Sequence, residues 1–240
     1  MKSNVQVKLD RADEIGQQIL ALCLEQCKSA SDQNLMKIGS LLGDFVNNLR
    51  SALNYTMRYF VEATLEPLLS KTECEAIKGR KDFPWSDSRA EFDKKKAVKQ
   101  SGIHCTPVYD FLEGLQPYHE GNEWLRYLMR ISNTDKHVII NEIAGSTASA
   151  IWFANPDGTP HPVPDFFGPG QDRILVKSLP KGHVHLCPCY YRPCGVFAVK
   201  GGKWVFFLIV IDKHRLGLTR FIERVPSSVR SLIEDFNALT

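Results

Sequence analysis

The sequence predicts an α+β protein: an antiparallel four-helix bundle over residues 1–146, then a β-rich region over 147–240 that closes with a terminal helix. Three observations predict it. Apolar residues recur at helical spacing through the first part of the chain. The composition breaks after Gly145 into a stretch rich in proline and glycine. Runs of β-branched and aromatic residues of strand length then follow. With 240 residues, 43% of them apolar, the chain can bury a substantial core, whether the two regions pack separately or as one unit.

Residues 8–28 form the first expected helix, with Leu9, Ile15, Ile19, Leu22 and Cys23 on one stripe, stopped by the polar segment 29–33. A second helix is expected over 35–65. A short one over 72–78 is closed by Gly79, and Phe83-Pro84-Trp85 marks a turn, because the residue before proline is pushed to extended geometry. Residues 91–99 carry Lys94, Lys95, Lys96 and Lys99, which reads as a solvated face, since no aromatic residues interleave to stack bases. Residues 106–115 and 120–143 complete the four helices, and short connections make their antiparallel packing the natural one. The segment 155–170 reads as a long loop. Strands are expected over 174–178, 183–186, 195–199 and 203–211, the last two joined by Lys200-Gly201-Gly202 as a hairpin. After Pro226, Val229, Leu232, Ile233 and Phe236 mark a final helix over 227–239.

Composition excludes several classes. No apolar run is long enough to span a bilayer, and the first twenty or so residues mix charge with apolar side chains instead of forming a leader, so a cytoplasmic protein is expected. Seven cysteines, an odd number without an export signal, are expected as thiols. A net charge of +3 does not by itself mark a nucleic-acid binder. Dinucleotide-fold, P-loop, zincin and nucleophile-elbow motifs are missing. Cys105 follows His104, but adjacency in sequence is not the geometry of a nucleophile and its base.

Two segments put polar groups where packing expects apolar ones. In the second helix Leu42, Phe45, Leu49, Ala52, Leu53 and Phe60 form an apolar stripe, while Asp44, Asn48, Ser51 and Tyr55 run along its margin. In the helix over 120–143, Leu125, Leu128, Ser132, Asp135, Ile139 and Ile143 share a face, so Asp135 falls in a buried stripe and needs a partner. Arg50, at the other margin of the second helix, is that expected partner. The pair reads equally as a functional centre or as an ion pair fixing two helices in register. Asn48, Ser51 and Tyr55 share the ambiguity, their plainer role being a hydrogen-bonded seam. His137 lies nearly opposite Asp135 on a helix, so the two converge only if the helix breaks at Ser132-Asn133-Thr134.

A second constellation is His183, His185, Cys187 and Cys189, with Cys194 following. On an extended strand the first four share a face, and thiolate with imidazole suits a structural zinc. The Cys-x-Cys spacing departs from the usual knuckle, and buried cysteines acting as small hydrophobes are the competing reading. No other cofactor is implied.

Taken in order, Arg11-Ala12-Asp13-Glu14, Gly43-Asp44, Asn48-Leu49-Arg50-Ser51-Ala52-Leu53, Phe83-Pro84, Leu115-Gln116-Pro117-Tyr118 and Ser132-Asn133-Thr134-Asp135-Lys136-His137 resemble a widespread family of bacterial and phage proteins with an H-N-L-R-S-A-L-D-H core. The resemblance covers roughly residues 8–140. That family's Arg and following His are similar to the R-x4-6-H motif of HEPN domains, helical bundles that often form homodimers and whose active members are metal-independent ribonucleases. The resemblance therefore implies a HEPN-like bundle that binds RNA or a protein partner in defence or mobile-element biology. It implies that Arg50 stabilises phosphorane charge, Asn48 and Ser51 position phosphate oxygens, and Tyr55 or His137 handles protons. Here Asn47 stands at the family's first His, and Asn54-Tyr55 at its Asp-His, so the imidazole of the motif is absent. The alternative is a non-enzymatic module whose Arg50–Asp135 seam only holds helices together.

Overall fold

The apolar stripe that runs along the first helix, through Val5, Leu9, Ala12, Ile15, Ile19 and Leu22, keeps one face buried at every turn and carries helix α1 over Lys2–Lys28. The computed structural model describes residues 2–28, 32–79, 81–136, 143–146, 185–186, 195–200, 203–211 and 216–240. Helix α2, Asp32–Phe60, buries Leu42, Phe45, Leu49, Ala52, Leu53 and Phe60 completely, which is the stripe its spacing predicts. It runs on through a π-helical turn, Val61–Leu65, into a 3-10 turn, Glu66–Leu68, where Pro67 cannot donate an N–H to a continuing helix.

Ser70 then starts α3, Lys71–Ile77, by a capping box: its hydroxyl accepts from the Glu73 N–H, and the Glu73 carboxylate accepts from the Ser70 N–H. Gly79, at φ 70°, ends this element in the left-handed geometry that glycine takes without strain. Two short helices occupy the lysine-rich stretch, α4 (Arg89–Phe92) and α5 (Lys96–His104). Lys94, Lys96 and Lys99 are exposed there, as a solvated face requires, while Ala97, Val98 and Ser101 of α5 are buried. Helices α6 (Thr106–Gly114) and α7 (Glu123–Lys136) follow, and α7 runs unbroken through Ser132-Asn133-Thr134.

The last helix, α8, covers Leu218–Leu239 and holds Pro226 inside it. It starts well before the expected residue 227. A proline in a helix interior costs about 3 kcal/mol, but burial of Leu218, Phe221, Ile222 and Val225 extends the apolar stripe upstream of it. Ser227 Oγ also donates to the Arg224 carbonyl at 2.7 Å, engaging a backbone acceptor next to the proline.

The chain divides into two compact units. One comprises residues 1–18, 40–141 and 223–240, and the other 19–39 and 142–222. Within the first, Phe236 of α8 meets Phe60 edge-on at 5.5 Å and Phe111 of α6 at 5.9 Å, and Arg230 is ion-paired with Asp13 of α1. In the second, the backbone forms short antiparallel strands: β1 (Ile143–Ser146), β2 (His185–Leu186), β3 (Gly195–Lys200), β4 (Lys203–Ile211) and β5 (Leu216–Gly217). Their order is β1-β4-β3-β2, with β5 also pairing β4 and Lys200 opposite Lys203.

The expectation of an α+β fold with a β-rich carboxy-terminal region is corrected. Where side chains are described, 83% of residues are helical and none lies in a strand. The protein is mostly helical. The helical share exceeds the expected one because α4 and α5 fill the lysine-rich stretch and the apolar periodicity that builds α8 begins at Leu218, upstream of Pro226. The expected linker 155–170 and strand 174–178 lie outside the described residues, as does the boundary at 146–147 on its carboxy-terminal side.

Candidate functional site

Because the apolar face of α2 is fully buried, its margin residues sit where bundle and surface meet, and most of their hydrogen bonds stay within the protein. Asn48 Nδ2 donates to the Asp44 carbonyl at 2.8 Å, Ser51 Oγ to the Asn47 carbonyl at 2.7 Å, and Thr56 Oγ1 to the Ala52 carbonyl at 3.0 Å. These are bonds back to the preceding turn of the same helix.

Across from α2 stands Ser132 of α7, which is 0% exposed. Its hydroxyl donates to Asn47 Oδ1 at 2.7 Å and lies 3.4 Å from Arg50 Nη1, the donor of that second pair. Arg50 Nη1 also donates to Asn133 Oδ1. Burial pulls the Arg50 guanidinium below its ordinary pKa, opposed in part by the Asp82 carboxylate. Arg50 Nε is buried without a hydrogen-bond partner among the described residues. Arg50, Asn47, Ser132 and Asn133 thus form one polar seam joining α2 to α7.

The Arg50–Asp135 pair falls partly beyond view: Asp135 is in α7, but its side chain, like all of His137, lies outside the described residues. The unbroken helix removes the break at Ser132-Asn133-Thr134 that convergence of Asp135 and His137 required. His183, Cys187, Cys189 and Cys194 also lie outside the described residues, and His185 is described in backbone only, in β2. Among the described residues no group of three or more His, Cys, Asp or Glu side chains could hold a metal. Burial pushes the Cys105 thiol above its ordinary pKa, away from the thiolate a nucleophile needs.

Past the seam, Ser51, Asn54 and Tyr55 open onto a cleft of about 420 Å³ whose other wall includes Lys78, Lys81 and Asp82. Arg58, one turn along α2, also lines it. Lys81 reaches Glu62 at 3.1 Å and Glu66 at 3.0 Å. Burial lowers its pKa, but those two hydrogen bonds outweigh it and hold the ammonium above its ordinary value.

The residues that fix this wall were in plain view in the sequence without an assigned role. Asn54 Oδ1 accepts the Phe83 N–H at 3.0 Å. Gln116, 0% exposed, accepts the Ser86 N–H at 2.9 Å and donates to the Pro84 carbonyl at 3.2 Å and the Leu112 carbonyl at 2.8 Å. The Phe83-Pro84 and Leu115-Gln116-Pro117-Tyr118 motifs are therefore one structural joint. Their shared signal was order along the chain; periodicity carries no trace of it.

A further network escaped the sequence reading. Arg89 reaches Glu113 at 2.8 Å, Asp93 at 3.1 Å and the Tyr109 hydroxyl at 2.7 Å. Glu113 also holds Tyr118 at 3.1 Å and His119 at 3.0 Å. Burial and the Glu113 carboxylate together push the Tyr118 phenol well above its ordinary pKa. Nearby, Asp87 bridges Arg126 at 2.7 Å and Arg130 at 2.8 Å. Arg89 and Glu113 thus tie α4 to α6 and the following turn, and Asp87 ties the segment before α4 to α7.

No protein-family model matches the chain, and neither a curated protein nor a solved structure is significantly similar to it.

Proposed function

We propose that the chain is a HEPN-like helical interaction module, binding RNA or a protein partner in bacterial or phage defence or mobile-element biology, in which the polar seam is architectural. One observation carries this reading: fully buried Ser132 is bonded to Asn47 while Nη1 of the partly desolvated Arg50 is engaged by Ser132 and Asn133. A group held this way, and desolvated, is poorly placed to meet a phosphate. A cytoplasmic homodimer belongs to the same proposal. No described helix is long and apolar enough to cross a membrane.

A second reading, metal-independent RNA cleavage, is favoured by Ser51 and Tyr55 lining an open cleft within two turns of Arg50. A labelled RNA pool incubated with the wild type and Arg50→Ala, each checked by circular dichroism and thermal melting, separates the two. The module reading expects no cleavage by the wild type and a lowered melting temperature for Arg50→Ala. Cleavage by the wild type that disappears in a fully folded Arg50→Ala overturns it.

A further inference from the structure

The cleft beside α2 shares no lining residue with the seam of Arg50, Asn47, Ser132 and Asn133. At about 420 Å³ it has the size of an ordinary small-molecule site. Its lining is polar or charged apart from Gly79 and the ring of Tyr55, which suits a polar occupant. Three cations, Arg58, Lys78 and Lys81, line it against one carboxylate, Asp82, which faces the charge of Arg50.

Several of these donors are not committed to the fold. Among the described residues Arg58 uses only Nε, on Glu62 at 3.1 Å, which leaves both terminal nitrogens of its fork. Lys78 meets Glu75 at 3.5 Å with both side chains well exposed, a pair that costs little to open. Asn54 spends its oxygen on Phe83, and its amide NH2 has no hydrogen bond among the described residues. Tyr55 contributes a hydroxyl with no hydrogen bond among the described residues. Lys81, held by two glutamates, anchors the wall. A guanidinium fork, an ammonium, an amide and a phenol converging on one cavity match a tetrahedral oxyanion carried by a small polar body.

We propose that this cleft binds a phosphomonoester metabolite of about mononucleotide size, with Arg58 and Lys78 on the phosphate and Asn54, Tyr55 and Asp82 toward the rest of the molecule. Isothermal titration of the full chain with adenosine 5′-monophosphate tests this, with adenosine and a 5′-phosphorylated RNA decamer as the other arms. Arg58→Gln and Lys78→Gln are suitable variants, because these side chains are 61% and 75% exposed and their loss leaves the core intact. Lys96→Gln, exposed on α5, is the control.

The expected result is saturable binding of the monophosphate, at least tenfold weaker binding of adenosine, and a loss of about tenfold for each of the two variants but not for Lys96→Gln. No saturable binding of the monophosphate, or binding that neither variant weakens, overturns the proposal. Binding of the RNA with none of the monophosphate also overturns it, by making the cleft a track for a strand.

Discussion

Ser132 of α7 donates its hydroxyl hydrogen to Asn47 Oδ1 of α2 at 2.7 Å, in a position with no exposure to solvent. Asn47 is thus a structural acceptor. Ser132→Ala removes this bond between α2 and α7, and is expected to cost about 0.5–1.5 kcal/mol. Urea unfolding checks it through a lower midpoint with an unchanged slope; an unaltered midpoint would mean that the seam contributes nothing.

Gln116 is the second structural centre. Gln116→Ala removes the acceptor of the buried Ser86 N–H and opens a void, at an expected cost of about 2–4 kcal/mol. Because Asn54 holds the same turn through Phe83, the Asn54→Ala and Gln116→Ala effects should not add, which a four-way comparison by urea unfolding reads directly.

Ser70→Ala dismantles the capping box of α3 and should weaken that helix locally by about 1 kcal/mol, at a solvent-exposed position. Amide exchange at Cys74, whose N–H bonds the Ser70 carbonyl, should quicken about fivefold while core amides do not change.

Acid should destabilise the protein through Glu113 and Asp87. Burial alone would raise Glu113, but its bonds from His119 and Tyr118 and the charge of Arg89 outweigh it and hold its pKa below the ordinary carboxylate value. Asp87 is lowered likewise, with the bonds and charges of Arg130 and Arg126 overcoming burial. A folded value below the unfolded one, about 4.3 for glutamate, stabilises at pH above it and is lost as pH falls through the depressed folded value. The melting temperature should therefore fall with pH below about 4.5, and fall less steeply in Glu113→Gln. An equal slope in the variant contradicts this assignment.

Much of the helical part was legible because burial is periodic. The stripe Leu42, Phe45, Leu49, Ala52, Leu53 and Phe60 is wholly buried, as spacing alone implies, and so are Leu125, Leu128 and Ser132 on α7. The start of α8 was not legible, because Pro226 suggested a boundary that the upstream apolar residues override. Nor was α5, a short helix hidden in a lysine-rich stretch where only Ala97, Val98 and Ser101 turn inward. In the site, Arg50 and its margin neighbours stood out as polar groups beside a core. Their bonding did not, since whether Ser51 or Asn48 faces a ligand or its own helix backbone depends on rotamers that no sequence pattern encodes. Gln116, Arg89 and Glu113 meet partners across loops, where spacing carries no information.

The most direct test of the architectural seam is a double-mutant cycle in urea between Arg50→Ala and Asn133→Ala, whose side chains are hydrogen-bonded across α2 and α7. The account predicts that each variant is destabilised and that the two are coupled by about 1 kcal/mol or more. Two fully stable single variants with no coupling would contradict it, and would free Arg50 for a role on a substrate.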